Sequence, residues 1–230
     1  MKLSILHRDD LRLGGFAGLR EHRLVVDPKV FGPMENPGTW SGIGKFVYLA
    51  DARFLPHGET RLHHHREVDV ISVMVAGRIA HEGSLKHGQI LLPFDVQVQR
   101  AGGEGFSHNE VNPDDRQNRM IQIWVLPDKP GEPAGYKTHA PKWGEVTRVY
   151  GGGTGQTETF ASNTFIDIAL LKKGQRFKSD RPFMAYLTTG KGAANTFTIQ
   201  DGDLLRGERL LFEAKEDVQM IIVRTLQSDW

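Results

Sequence analysis

The sequence predicts an all-β protein made of two tandem β-barrel or jelly-roll units, and three observations carry that expectation. Apolar runs are mostly four to six residues long and rich in β-branched and aromatic side chains. The chain has 26 glycines and 11 prolines spread along its 230 residues, the punctuation of many short strands joined by turns. The second half also reads as a worn copy of the first at an offset of about 113 residues. Gly77 and Gly190 open the correspondence, and Lys86-His87-Gly88-Gln89-Ile90-Leu91 resembles Gln200-Asp201-Gly202-Asp203-Leu204-Leu205.

Taken in order, the segment Asp9 to Arg20 is the better of two weak helix candidates, the other lying around Lys142. Strands are expected at Phe46–Leu49, Val68–Val75, Gln89–Leu92, Val96–Gln99 and Met120–Val125. Side chains two apart on a strand share a face, so Ile71, Val73 and Val75 point together. Ile121, Ile123 and Val125 repeat the device, with Gln122 and Trp124 opposite. Between Leu126 and Gly155 the composition turns to proline and glycine and reads as a linker. The expected division is therefore residues 1–130, a linker at 131–155, and residues 156–230. Neither Gly151-Gly152-Gly153 nor Gly190-Lys191-Gly192 has a phosphate-loop register, so both are read as turns.

Lysine plus arginine number 29 against 28 aspartates plus glutamates, with the signs interspersed, which argues against a nucleic-acid surface. No cysteine is present, so disulfides, thiolate metal sites and cysteine nucleophiles are excluded. No apolar run approaches the 18 residues of a membrane span. The start has only the short run Leu3–Leu6 before His7, Arg8, Asp9 and Asp10, too little for a secretory core, so a cytoplasmic location is expected.

All ten histidines precede residue 140, so an imidazole metal site belongs to the first unit alone. Applying the offset puts Arg176 and Lys178 opposite His63 and His65, cations that would repel an ion. His63-His64-His65 stands before the run Val68–Val75, where a strand would aim His63 and His65 to one face and His64 to the other. Chance supplies about 0.4 such pairs from ten histidines in 230 residues, so the weight falls on a second i, i+2 pair, His108 and Glu110. Two such strands facing into one barrel present three imidazoles and a carboxylate, a donor set for Fe²⁺, Mn²⁺, Ni²⁺, Cu²⁺ or Zn²⁺. His57, His81 and His87 sit near glycines and read first as turn histidines, His81 with a lesser prospect of supporting the site. Asp69 is read equally as a pocket-rim carboxylate or an ordinary strand residue.

These residues resemble the pirins, of the cupin superfamily. The likeness rests on Asp27-Pro28 with Phe31-Gly32, His63-His64-His65 with Asp69, Gly77, Ala80-His81-Glu82, and Pro93-Phe94-Asp95-Val96-Gln97. It continues through Ala101-Gly102-Gly103-Glu104-Gly105, His108-Asn109-Glu110 and Gln122-Ile123-Trp124-Val125. His64 departs from the usual proline, Asp69 from a glutamate, and one extra residue lies between Gly102 and His108. The resemblance implies a bicupin with one metal in the first barrel, iron(II) before Mn, Ni, Co, Cu or Zn, on His63, His65, His108 and Glu110.

Some pirins look like quercetin 2,3-dioxygenases, which cleave a flavonol ring with O₂. The resemblance therefore implies a small aromatic, flavonol-like substrate together with O₂. Glu110 would act as general base on the substrate hydroxyl, within an apolar wall drawn from Phe46, Tyr48, Phe54 and Met74. Other pirins resemble metal- or redox-sensing regulators that bind a transcription factor or a metabolic enzyme, which implies a protein partner instead. A cupin whose metal only braces the barrel is the third reading.

Overall fold

A computed structural model describes residues 3–33 and 38–226. In chain order the strands are β1 (Ser4–His7), β2 (Leu13–Phe16), β3 (Leu19–Val26), β4 (Phe46–Phe54), β5 (His63–His65), β6 (Asp69–Ala76) and β7 (Ile79–Gly83). There follow β8 (Gln89–Leu91), β9 (Val96–Arg100), β10 (Phe106–Val111), β11 (Arg119–Val125), β12 (Gly135–His139), β13 (Glu145–Gly152) and β14 (Ser162–Leu171). The last are β15 (Arg176–Ser179), β16 (Phe183–Thr189), β17 (Lys191–Ala194), β18 (Phe197–Gln200), β19 (Asp203–Gly207), β20 (Leu210–Ala214) and β21 (Val218–Thr225). The all-β expectation holds. Among the described residues no helix is long and apolar enough to cross a membrane.

The expected helix over Asp9–Arg20 is instead a 3₁₀ turn, Arg8–Asp10, followed by β2 and the start of β3. Gly14, Gly15 and Gly18 explain the difference, because glycine weakens a helix interior by about 1 kcal/mol each. Gly18 also has no room for a side chain, a Cβ there falling 2.4 Å from the Gly58 backbone. Among the described residues the α-helix is one turn, α1 (Pro28–Phe31): Asp27 caps it by accepting from the Lys29 N–H, and Pro28 opens it.

The chain folds as two compact units, one spanning Leu11–Ala140 and the other made of the chain up to Asp10 together with everything from Pro141. In the first unit the sheets run β12-β9-β6-β11-β4-β3-β2 and β5-β10-β7-β8. In the second they run β1-β19-β16-β21-β14-β13 and β15-β20-β17-β18. The two orders correspond except that β2 has no counterpart in the second unit, and β1 holds there the edge place that β12 holds in the first. The stretch 131–155 is thus not a plain linker. It carries β12, which pairs with β9, and β13, which pairs with β14.

The internal repeat is real but its offset drifts. Met74 pairs with Met120 and Leu187 with Met220, each beside a bulge, so β6 and β16 correspond at the expected 113 residues. Gly77 and Gly190, both at positive φ (72° and 81°), mark the same turn. Gly88 and Gly202 do not: Gly88 precedes β8, whereas Gly202 precedes β19, the counterpart of β9. Shorter connections in the second unit shift the numbering.

Gly102, in the loop leading to β10, has φ 55°, and an added Cβ would lie 1.8 Å from the Glu132 carbonyl oxygen. Gly102→Ala should cost on the order of 2 kcal/mol, read as a lowered urea midpoint with an unchanged slope.

Candidate metal centre

Strand alternation does at β5 what the sequence leads one to expect. His65 is buried and His63 half-buried on one face, while His64 is exposed and meets Ser107 Oγ at 3.3 Å. Antiparallel pairing sets His63 opposite His108 and His65 opposite Phe106. The other edge of β10 pairs with β7, which puts Glu110 opposite His81. The rings of His63 and His108 lie 4.5 Å apart, those of His63 and His65 4.7 Å, and those of His65 and His108 5.0 Å.

One nitrogen from each of the three histidines falls within 4.8 Å of the others, close enough to share one ion. His63 Nδ1 donates to the Arg61 carbonyl at 2.8 Å, which leaves Nε2 with its lone pair. His65 Nε2 is buried with no hydrogen-bond partner, and so is Glu110 Oε2. Buried polar atoms are almost always satisfied, and a shared ion would give His65 Nε2 and Glu110 Oε2 a partner. The donors fit a divalent ion. Glu110 lies outside the three-histidine group, on the same face of β10 as His108.

Burial sets the electrostatics. It pushes the Glu110 carboxyl up to about 7, against the opposing hydrogen bonds from Ser72 and Gln97. It holds His65 down at about 4 and His108 lower still, with neighbouring histidines adding to both. Neutral imidazoles are the ligating form, so burial keeps His65 and His108 uncharged across the physiological range.

His81 is no turn residue. It is fully buried in β7, donates from Nε2 to the Leu85 carbonyl at 2.8 Å, and lies 5.6 Å from the His108 ring. His57 is exposed beside Asp115, and His87 accepts from the Gly83 N–H. Asp69 is buried against Arg100, which also reaches Glu132 at 3.2 Å, so it takes the structural role. Of the expected wall, Phe54 and Met74 belong to a core cluster with Leu19, Ile79 and Met120. Phe46 is fully buried. Tyr48 stacks on Trp124, and Trp124 in turn lies 5.3 Å from the His65 ring. Phe106, at 5.2 Å from His65, was not anticipated.

In the second unit the positions that correspond to the candidate ligands carry no imidazole or carboxylate, and they are not the positions the constant offset selects. Register and burial match His63, His65, His108 and Glu110 with Phe177, Ser179, Phe212 and Ala214. Arg176 and Lys178 point outward instead, toward Glu213 and Asp180. Phe212 and Ala214 are part of that unit's apolar core, with Phe177 packed against it. His81 corresponds to Gly192, where a Cβ would lie 2.3 Å from the Phe212 ring.

Two cupin-type barrels, one with a histidine cluster and one filled with hydrocarbon, define a bicupin with, among the described residues, one clustered candidate metal site. Residues 42–125 match the Pirin family model. It is 29% identical over 195 residues to a Zymomonas mobilis protein provisionally named a quercetin 2,3-dioxygenase, covering 76% of this chain and 80% of that one. It is 26% identical over 181 residues to a pirin-like protein of Caulobacter vibrioides, 70% and 75% of the two chains. The fold is shared with the bacterial pirin YhhW from Escherichia coli, solved with nickel(II), at TM-score 0.82 and 15% identity over 97% of this chain and 99% of that one. A quercetin 2,3-dioxygenase from Acinetobacter baumannii superposes at TM-score 0.72 with 16% identity, over 96% and 85%.

Proposed function

We propose that the first barrel binds one divalent ion, iron(II) foremost, through His63, His65, His108 and Glu110, and that the protein cleaves a flavonol-like ring with O₂. The observation that supports this best is the convergence of three histidine nitrogens beside the unpaired, buried Glu110 Oε2. When bound, the ion would supply Lewis acidity toward a substrate hydroxyl and sites where substrate and O₂ could meet.

The chain's own groups do the rest. Glu110, which shares a face of β10 with His108, would take the hydroxyl proton as general base. Trp124 and Phe106 flank His65 and keep that side of the site dry. His63 is half-buried and follows the exposed Leu62, so the open approach to the cluster runs past β5.

The test is oxygen-dependent loss of quercetin absorbance by Fe²⁺-loaded protein of assayed metal content. Turnover with O₂ consumption is the expected result. A fully metallated protein that leaves quercetin intact would remove flavonol cleavage and favour the protein-partner role.

A further inference from the structure

The two buried glutamines of β9 face the two outer ligands of β10. Gln97 Nε2 donates to Glu110 Oε1 at 2.7 Å, and Ser72 Oγ donates to the same oxygen at 2.8 Å. Gln97 Oε1 accepts from Tyr136 OH at 3.0 Å, so the tyrosine hydroxyl dictates which end of the amide faces Glu110. Gln99 stands two residues on, its side-chain nitrogen 3.1 Å from His108 Nδ1. His108 Nε2 lies 3.1 Å from His63 Nε2. Gln97, Gln99, Ser72 and Glu110 are all fully buried.

We propose that Gln97 and Gln99 are positioning residues of the metal centre. Gln97, oriented by Tyr136, holds Glu110 by Oε1 so that Oε2 alone is offered to the ion. Gln99 governs the His108 tautomer. As the amide stands, it donates to Nδ1 and leaves a proton on Nε2, shared with His63. An ion needs that Nε2 lone pair, which requires the proton on Nδ1. Turning the Gln99 amide end for end brings its carbonyl to that proton, and Gln99 Oε1 otherwise stays buried without a partner.

The second barrel is an internal control. Where the ligands are gone, the braces are gone too: Ser72, Gln97 and Gln99 correspond to Ala185, Leu205 and Gly207. Burying amides in a barrel costs stability unless they are satisfied, and at these register positions the chain does so in the barrel with candidate ligands and not in the other.

The inference rests on Glu110 being a ligand, and the experiment separates the two. Co²⁺ is titrated into the full-length wild type and into Glu110→Gln, Tyr136→Phe, Gln97→Leu and the double variant Gln97→Leu/Tyr136→Phe, reading affinity and the visible ligand-field bands. Tyr136→Phe removes one hydroxyl and keeps the ring, so it carries the test if Gln97→Leu does not fold. The expected result is about tenfold weaker Co²⁺ binding in Tyr136→Phe, with its bands shifted in the same sense as in Glu110→Gln. In the Gln97→Leu background Tyr136→Phe should add less than twofold, because the hydroxyl acts through Gln97. Unchanged bands in Tyr136→Phe beside changed bands in Glu110→Gln would overturn the brace and leave Glu110 a ligand. Unchanged bands in Glu110→Gln would remove the ligand and the brace together.

Discussion

Replacing both His63 and His108 with alanine should abolish stoichiometric metal binding while leaving the barrel folded. Apparent binding free energies of about 10–16 kcal/mol for four-ligand zinc sites give roughly 3 kcal/mol per ligand, so losing two weakens affinity by about 10⁴-fold or more. Competition against a chromophoric chelator measures it, and flavonol turnover should vanish in parallel. Folding should survive because the corresponding positions of the second unit are packed by apolar side chains, Phe177, Phe212 and Ala214. A stricter control rewrites the site as the second barrel has it: His63→Phe, His65→Ser, His108→Phe and Glu110→Ala. That set needs His81→Gly as well, since a side chain at the corresponding Gly192 would run into the Phe212 ring. The rewritten barrel should fold, bind no Co²⁺ and show far-ultraviolet circular dichroism like the wild type. Metal retained by the His63→Ala/His108→Ala variant would contradict the histidine assignment.

The second large effect is on the pH dependence of metal affinity. In the metal-free protein burial holds the Glu110 carboxyl at about 7, so below that pH an ion must displace its proton. Affinity should then fall about tenfold for each pH unit below 7 on account of this group alone. His65, held down at about 4, and His108, lower still, release no proton on binding between pH 7 and 5. Glu110→Gln should therefore flatten the plot of log Kd against pH by one proton over that range. An identical slope in both proteins would show that the Glu110 proton is not displaced.

Stability of the metal-free fold follows the same groups with opposite signs. The raised Glu110 value contributes stability that is full below the unfolded carboxyl near 4.3 and is lost as pH rises through 7. The lowered His65 and His108 values do the reverse: their contribution is present above about 6.5 and is lost on acidification. In excess chelator, Glu110→Gln should gain urea resistance relative to wild type as pH rises from 5 to 8.

The candidate ligands were legible because a strand has a period of two: His63 and His65, and His108 and Glu110, had to share faces wherever their strands paired. The same reasoning misplaced the second barrel's counterparts. Counting a constant 113 residues selected Arg176 and Lys178, whereas pairing of β15 with β20 turns Phe177 and Ser179 inward. A slip of one residue reverses every side chain, and loop lengths accumulate such slips. His81 was read as a turn residue because glycines lie near it, although it alternates within β7 between Ile79 and Gly83. Gln97 and Gln99 left a signal that went unused: amides alternating with Val96 and Val98 in a strand buried on both faces.

By itself, then, the sequence determined the all-β class, the duplication, and the sharing of strand faces by His63 with His65 and by His108 with Glu110. Those properties follow from local periodicity, glycine placement and residue type. Only the tertiary structure decided that the first strand serves the second unit, and that β12 supplies a tyrosine to a glutamine behind Glu110. It alone placed hydrocarbon in the second barrel where the first gathers nitrogen donors. These are pairings between residues far apart in the chain, and register, which no local pattern encodes, determines which side chains meet.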